Sequence, residues 1–495
     1  MINKKTPIHF IDIFSILFLF TFFANCQLIF GKETKVILKS TGNEIVSIYK
    51  PIDKYCNYFQ TLSNEFKLSP ELEICYKPKI LDFSFIQISY SDGKRYSLLL
   101  HSGDSLQLSY NNGILNFSGD NASGQVYLNT FSRRVNVDSI FDQHLKGGIN
   151  IAAIRQDIKT LFFDGLNNDI KQLQTSGKIS KDFGQKIYND MNYAVADMYF
   201  SCCNMLLRGF RKVKLTQTDS LSINKSLDSF FIALPPYDKN IIKYRYPYKY
   251  ISRYYSMQYN KLNTTKKIEL LSNNSEDTFG PYTSFLLSPD YLQIPLFGSI
   301  FLNQINYGFN EFDKSKMYNF INAKFPESEY LKIIQGKYVA QKKEENKTPI
   351  SLENKISFLT RPIKSLKELS TIPELKGKRI FIDIWATWCV PCRMQFQFKD
   401  KLDSLAKKYD IAIVYISIDK EVFRNKWTSD VEQLKLNGNH ILANENLQAD
   451  IQKNIYLNKG ILIPRYILLD KNANILNNDA PRPSAPDDIE KLFKN

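Results

Sequence analysis

Cys389 and Cys392 stand two residues apart in the run Trp385-Ala386-Thr387-Trp388-Cys389-Val390-Pro391-Cys392. An apolar stretch, residues 379–384, precedes the run, and residues with helical spacing follow it. A cysteine pair placed where a strand turns into a helix is suited to thiol–disulfide exchange. Amide N–H groups at a helix start stabilise the first thiolate, and the short spacing lets the second sulfur reach back to release a mixed disulfide. On this reading Cys389 is the more exposed and more acidic nucleophile, and Cys392 the more buried resolving thiol. Pro391 fits an early helical position, where its missing N–H leaves no bond unmade. Zinc ribbons also use CxxC, but they need a second pair, which this chain lacks. Trp388, Val390 and Pro391 are the supporting neighbours of the sulfurs.

The elements that must hold this pair read as alternating strands and helices over residues 350–495. Strands are expected at 380–384, 411–418 and 466–469, with helices after Cys389, around Trp427 and Ile451, and from about 487. Such alternation implies a parallel or mixed sheet covered on both faces. Phe396, Leu402, Leu405 and Tyr409 form an inward helical face. A polar, charged stretch ending at Pro349 reads as a linker over 341–349. Residues 27–121 read as a small antiparallel β domain. In 83–90 one set of alternating positions carries Ile86, Ile88 and Tyr90, while Phe85 blurs the opposite, polar set. Ser91-Asp92-Gly93-Lys94 and Asn111-Asn112-Gly113 read as hairpin turns. Residues 122–340 read as helical, most clearly from Ser180, a capping residue, to about Leu207. Leu234-Pro235-Pro236 ends another helical segment. Pro247 is expected to interrupt a tyrosine-rich stretch whose rings serve helix packing.

At 495 residues the chain is too long for one core. Its formal charge of +15 comes from lysines spread along the sequence, without the concentrated basic stripe that nucleic-acid binding prefers. Lys4, Lys5 and the apolar residues 13–23 read as an export signal over 1–26, too short to span a bilayer comfortably. Phe23-Ala24-Asn25-Cys26 loosely resembles a lipoprotein cleavage box, although Asn25 departs from the usual small residue. Lipid on Cys26 would tether the protein to a membrane leaflet. Cys56 and Cys75 are candidates for a disulfide in an oxidising compartment, whereas Cys202 and Cys203 read as buried small hydrophobes. His9, His101, His144 and His440 are scattered without ligand spacing, and no G-x-G-x-x-G follows a strand, so neither a metal nor a flavin or nicotinamide cofactor is expected.

Residues 350–495 resemble a thioredoxin-like domain of the exported TlpA/ResA type, common in envelope proteins of Bacteroidetes. The matching features are Phe381-Ile382-Asp383-Ile384-Trp385-Ala386-Thr387-Trp388-Cys389-Val390-Pro391-Cys392-Arg393, Ser417-Ile418-Asp419, Gly460 to Asp470 and Ala480-Pro481-Arg482-Pro483-Ser484. The resemblance implies an α/β thioredoxin-like fold, with Pro464 as a cis-proline facing the dithiol and a neighbouring backbone that pairs with an extended substrate segment. It places Asp383 where a buried carboxylate assists proton transfer, because Cys392 must lose a proton before it attacks. Many such domains carry a Glu three residues after the second cysteine. Here Gln395 stands there and cannot exchange a proton, which leaves that task to Asp383.

The expected function is an exported thiol–disulfide oxidoreductase of the periplasm or cell envelope, acting on protein disulfide or dithiol clients and reset by a membrane-bound thiol donor. A peroxiredoxin-like peroxidase, and an envelope binding or structural protein with an accessory redox domain, are the alternatives.

Overall fold

A computed structural model describes residues 33–494, apart from 54, 56–61, 132–136, 146–148, 208–212, 272–274, 346–355 and 459. The expected export signal, Cys26, Cys56 and the later part of the expected linker lie outside the described residues. The chain divides into two compact units, Met1–Ser299 with Asn319–Leu331, and Ile300–Tyr318 with Lys332–Asn495.

The first unit begins with eight strands: β1 (Lys35–Ser40), β2 (Glu44–Tyr49), β3 (Ser63–Leu68), β4 (Ile74–Tyr76), β5 (Phe83–Tyr90), β6 (Arg95–His101), β7 (Ser105–Asn111) and β8 (Ile114–Gly119). They form two four-stranded sheets, β4-β1-β7-β8 and β3-β2-β5-β6. Val36, Val46, Ile86, Ile88, Leu98 and Leu106 from both sheets meet in one core. The turns at 91–94 and 111–113 join their hairpins, with Gly93 and Gly113 in the left-handed region that a tight turn needs. Pairing is antiparallel except between β1 and β7, which run parallel. Phe85 interrupts the alternation for a structural reason: its side of β5 is covered too. Its ring centroid lies 6.3 Å from that of Tyr244 and 5.2 Å from the guanidinium of Arg245, and the residue is fully buried.

Helices follow. Ser180 Oγ accepts the Phe183 N–H at 3.1 Å and caps the helix Lys181–Leu207, as its sequence position implies. The helix Gln217–Ala233 stops before Leu234 and the two prolines. Pro247 does not interrupt the tyrosine stretch but opens the helix Pro247–Asn260, because proline's fixed φ suits a first helical turn. Tyr250 and Tyr255 of that helix are buried, consistent with a packing role. Cys202 and Cys203 are buried free thiols, and burial pushes the Cys203 thiol up to about 12. Cys75 is a free, exposed thiol, and Cys56, its expected partner, lies outside the described residues.

The helix Glu329–Glu345, of which residues from Lys332 on belong to the second unit, runs on into the stretch expected to be linker. Six strands then build one sheet: β9 (Ile356–Phe358), β10 (Arg379–Trp385), β11 (Ile411–Ser417), β12 (Gly438–Leu442), β13 (Arg465–Leu469) and β14 (Ile475–Asn477). Their order is β14-β13-β10-β11-β12-β9. The four strands β10, β11, β12 and β9 are parallel, while β13 runs antiparallel between β10 and β14, so the sheet is mixed. β10 sits centrally and is buried along almost its whole length, which explains why Asp383 is the one polar residue among the apolar ones from Ile380 to Trp385. One face packs Phe381, Trp385 and Tyr415 against Cys392, Leu402, Trp427, Val431, Ile489 and Phe493 from four helices. The other packs Ile380, Ile382 and Ile384 against Leu366, Leu369, Leu447 and Ile451.

Candidate active site

The geometry of the cysteine pair starts with β10, which ends at Trp385 and delivers the chain to the helix Val390–Gln395. The connecting loop is pinned by Asp419. Its carboxylate accepts the Thr387 N–H at 2.8 Å and the Thr387 hydroxyl at 2.9 Å, as well as the Ser417 hydroxyl at 2.6 Å. Ser417 closes β11, so adjacent parallel strands fix the loop from below. Cys389 is the N-cap of the helix, and its Sγ accepts the Cys392 N–H at 3.2 Å. Pro391 lies in the first helical turn, where its lack of an N–H costs nothing. The two cysteines are joined as a disulfide, with Cα atoms 5.3 Å apart. Exposure is 3% for Cys389 and 0% for Cys392, so both are largely enclosed. Trp388 next to them is 61% exposed, Val390 is half-exposed, and Trp385 is fully buried.

Pro464 follows a cis peptide bond from Ile463. Arg465 then pairs with Ile384 across the antiparallel β13–β10 ladder. This register sets Pro464 beside the end of β10 from which the cysteine loop departs.

Asp383 has no exposed surface, and neither carboxyl oxygen has a hydrogen-bond partner. Burial raises its pKa well above the ordinary carboxylate range, so the neutral acid is favoured there. Register shows what surrounds it. Asp383 faces Tyr415 on one side and Tyr466 on the other, and Tyr415 in turn faces His440. One row of buried polar side chains therefore crosses four strands on the sheet face that also receives Cys392. The His440 ring stacks on Tyr415 with centroids 5.0 Å apart, and burial pulls its pKa down to about 4. Gln395 is buried, and its Oε1 accepts the Ser484 N–H at 3.0 Å, tying the helix to the Ala480–Ser484 tail. An amide does this without a charge that burial would penalise.

Sequence reasoning brought Cys389, Cys392, Asp383, Pro464, Trp388, Val390, Pro391 and Gln395 to the same end of one domain. It passed over the tyrosines and histidine of the row, and the role of Asp419 as a loop clamp. Ser417-Ile418-Asp419 was the available signal for the clamp. The row had none, because its members come together only through strand pairing.

Residues 356–492 match the Redoxin family model. The thioredoxin-like protein YneN of Bacillus subtilis is 33% identical over 52 residues, 10% of this chain and 29% of that protein. The thiol-disulfide oxidoreductase ResA of Oceanobacillus iheyensis is 29% identical over 83 residues, 16% of this chain and 43% of that protein. The chain thus spans less than half the length of these curated relatives. A solution structure of a putative thiol-disulfide oxidoreductase from Bacteroides vulgatus is 37% identical, covering 24% of this chain and 75% of that one, at a TM-score of 0.20. The C-terminal segment is a thioredoxin-like redoxin domain with a closely spaced cysteine pair, related at low identity to thiol–disulfide oxidoreductases.

Proposed function

We propose that this protein is an exported thiol–disulfide oxidoreductase of the TlpA/ResA type that exchanges disulfides with protein clients in the cell envelope. The carrying observation is Cys389 at a helix N-cap, already bonded to Cys392, with a buried carboxyl whose pKa is raised on the sheet face beneath. In the reducing direction the Cys389 thiolate attacks one sulfur of a client disulfide, and the other client sulfur leaves as a thiolate. Asp383, once its own proton has passed to solvent, takes the proton from Cys392 as a carboxylate. The Cys392 thiolate then attacks Cys389 Sγ, closing the internal disulfide and releasing the second client thiol. The client gains two electrons and the pair loses two, so a reduced donor must restore it. A carboxylate whose pKa is raised is a better proton acceptor for a thiol than an ordinary aspartate. Pro464 and the backbone beside it serve to seat an extended client segment next to Cys389, with exposed Trp388 and Val390 on the rim.

Export rests on Lys4, Lys5 and residues 13–23, and tethering rests on Cys26. Among the described residues no helix is long and apolar enough to cross a membrane. A membrane-bound thiol donor is the proposed source of electrons. The decisive experiment replaces one cysteine at a time. Cys392→Ser should accumulate mixed disulfides with clients on Cys389, and Cys389→Ser should accumulate none. Equal exchange activity in both variants and the wild type would end this reading.

A further inference from the structure

We propose that the turn Tyr307-Gly308-Phe309, upstream of the redoxin match, is a working part of the redox site and sets the reactivity of Cys389 through Arg393. This inference rests on the exchange reading above. Arg393 directly follows Cys392 and is 1% exposed. Its Nε donates to the Thr387 carbonyl at 2.8 Å, and its Nη1 donates to the carbonyls of Gly308 at 2.9 Å and Tyr307 at 3.3 Å. Nη2 is bound to the carboxylate of Asp430, and the guanidinium carbon lies 4.3 Å from the ring centroid of Phe309. Tyr307 ends a helix, where the helix dipole favours a cation, and the buried guanidinium is well matched to it.

Arg393 and Asp419 together grip Thr387, one through its carbonyl and the other through its N–H and hydroxyl. Thr387 lies two residues before Cys389. The grip therefore fixes Cys389 Sγ against the Cys392 N–H that stabilises its thiolate. The upstream turn fixes Arg393 in its turn and is braced for that task. Gln304 and Glu311 exchange hydrogen bonds of 3.1 and 3.0 Å across it, and Gln397 Nε2 donates to the Asn306 carbonyl at 3.4 Å. Gly308 has φ +64°, and a Cβ there would come within 2.7 Å of Leu434 Cδ2. The left-handed backbone favours glycine there, and a side chain would press on Leu434. If the turn withdraws, Arg393 loses two acceptors and an aromatic face, its hold on Thr387 loosens, and the Cys389 thiolate loses part of its stabilisation.

The test uses the reduced full-length protein, with alkylation of Cys389 followed against pH by mass spectrometry so that other thiols are distinguished. Gly308→Val displaces the turn, Phe309→Ala removes the aromatic face without backbone strain, and Arg393→Lys replaces the planar fork. Tryptophan fluorescence confirms that each is folded, and Phe309→Ala keeps the test decisive if Gly308→Val is not. Each variant should alkylate about threefold more slowly at neutral pH, with the midpoint of its pH profile moved upward. Phe309→Ala combined with Arg393→Lys should lose little more than the larger single loss, since both act through one contact. Turn variants with the wild-type pH profile, or fully additive losses, would overturn the proposal. Wild-type Cys389 that alkylates no faster than an ordinary free cysteine would instead sink the exchange reading itself.

Discussion

Consider Asp383→Asn with the Cys389–Cys392 pair kept oxidised, so that neither of these thiols titrates. In the unfolded chain the Asp383 carboxyl ionises near the ordinary value of about 3.9. In the folded domain, burial without a hydrogen-bond partner raises that value well above it. Between the two, the folded state holds one more proton than the unfolded chain. Stability therefore falls as pH rises, by up to about 1.4 kcal/mol per pH unit, until the folded value is passed. His440 acts in the opposite sense. Its folded value is pulled down to about 4, so it contributes rising stability only up to its unfolded value of about 6.5. Measurements above about pH 7 thus separate Asp383 from His440.

Asparagine cannot ionise, so the variant should lose the downward slope. Its buried amide replaces a buried neutral acid, each lacking a partner at a cost of about 1–3 kcal/mol, and those costs largely cancel. The variant should therefore match the wild type only below about pH 4, where the carboxyl is protonated in both states, and exceed it above that by an amount that grows with pH until the folded value is passed. Urea unfolding of the full chain, followed by tryptophan fluorescence, reads the correct unit because Trp385, Trp388 and Trp427 are the chain's three tryptophans. In exchange kinetics the same variant should slow resolution of the mixed disulfide more than its formation. A variant with the wild-type pH slope, or one less stable than the wild type at alkaline pH, would show that the carboxylate is held as an anion by a partner. The proton-transfer argument would then fail.

Three further outcomes are expected. Gln395→Glu placed in the Asp383→Asn background should partly restore resolution, since it returns a carboxylate to the helix that carries Cys392; stopped-flow exchange measures it, with the Ser484 contact checked by thermal melting. His440→Phe should remove the rising contribution of His440 between about pH 4 and about pH 6.5 and leave the fall from Asp383 unopposed, so the variant should lose up to about 1.4 kcal/mol per unit where the wild type stays nearly level, as read by urea unfolding across that range. Labelled fatty acid should enter the wild type but not Cys26→Ala, and fractionation should place the mature protein in the envelope without residues 1–25 or so.

Much of the site was legible because its chemistry is local. A helix start, a nucleophile at its cap, a proline in the first turn and an apolar strand before it all lie within a few residues. Those features follow from backbone donors and local spacing, which a linear reading captures. The hairpins at 91–94 and 111–113 and the cap at Ser180 were legible for the same reason. β12 was not, because Gly438, Asn439 and His440 have little intrinsic preference for a strand and acquire one by pairing with β11 and β9. Pro247 was misread because proline opens a helix as readily as it stops one, and its neighbours alone do not say which.

The sequence by itself determined that this chain carries a closely spaced cysteine pair on an α/β domain, since the cysteines need only their own helix and strand to be recognised. Tertiary structure decided the surroundings. It aligned Tyr466, Asp383, Tyr415 and His440 into one buried row through strand register, left the Asp383 carboxyl without a partner, and closed Arg393 between Thr387, Asp430 and the turn at Tyr307. Each of those arrangements joins residues far apart in the chain. Burial and cross-strand pairing set their energies, and neither exists until the sheet and its covering helices have packed.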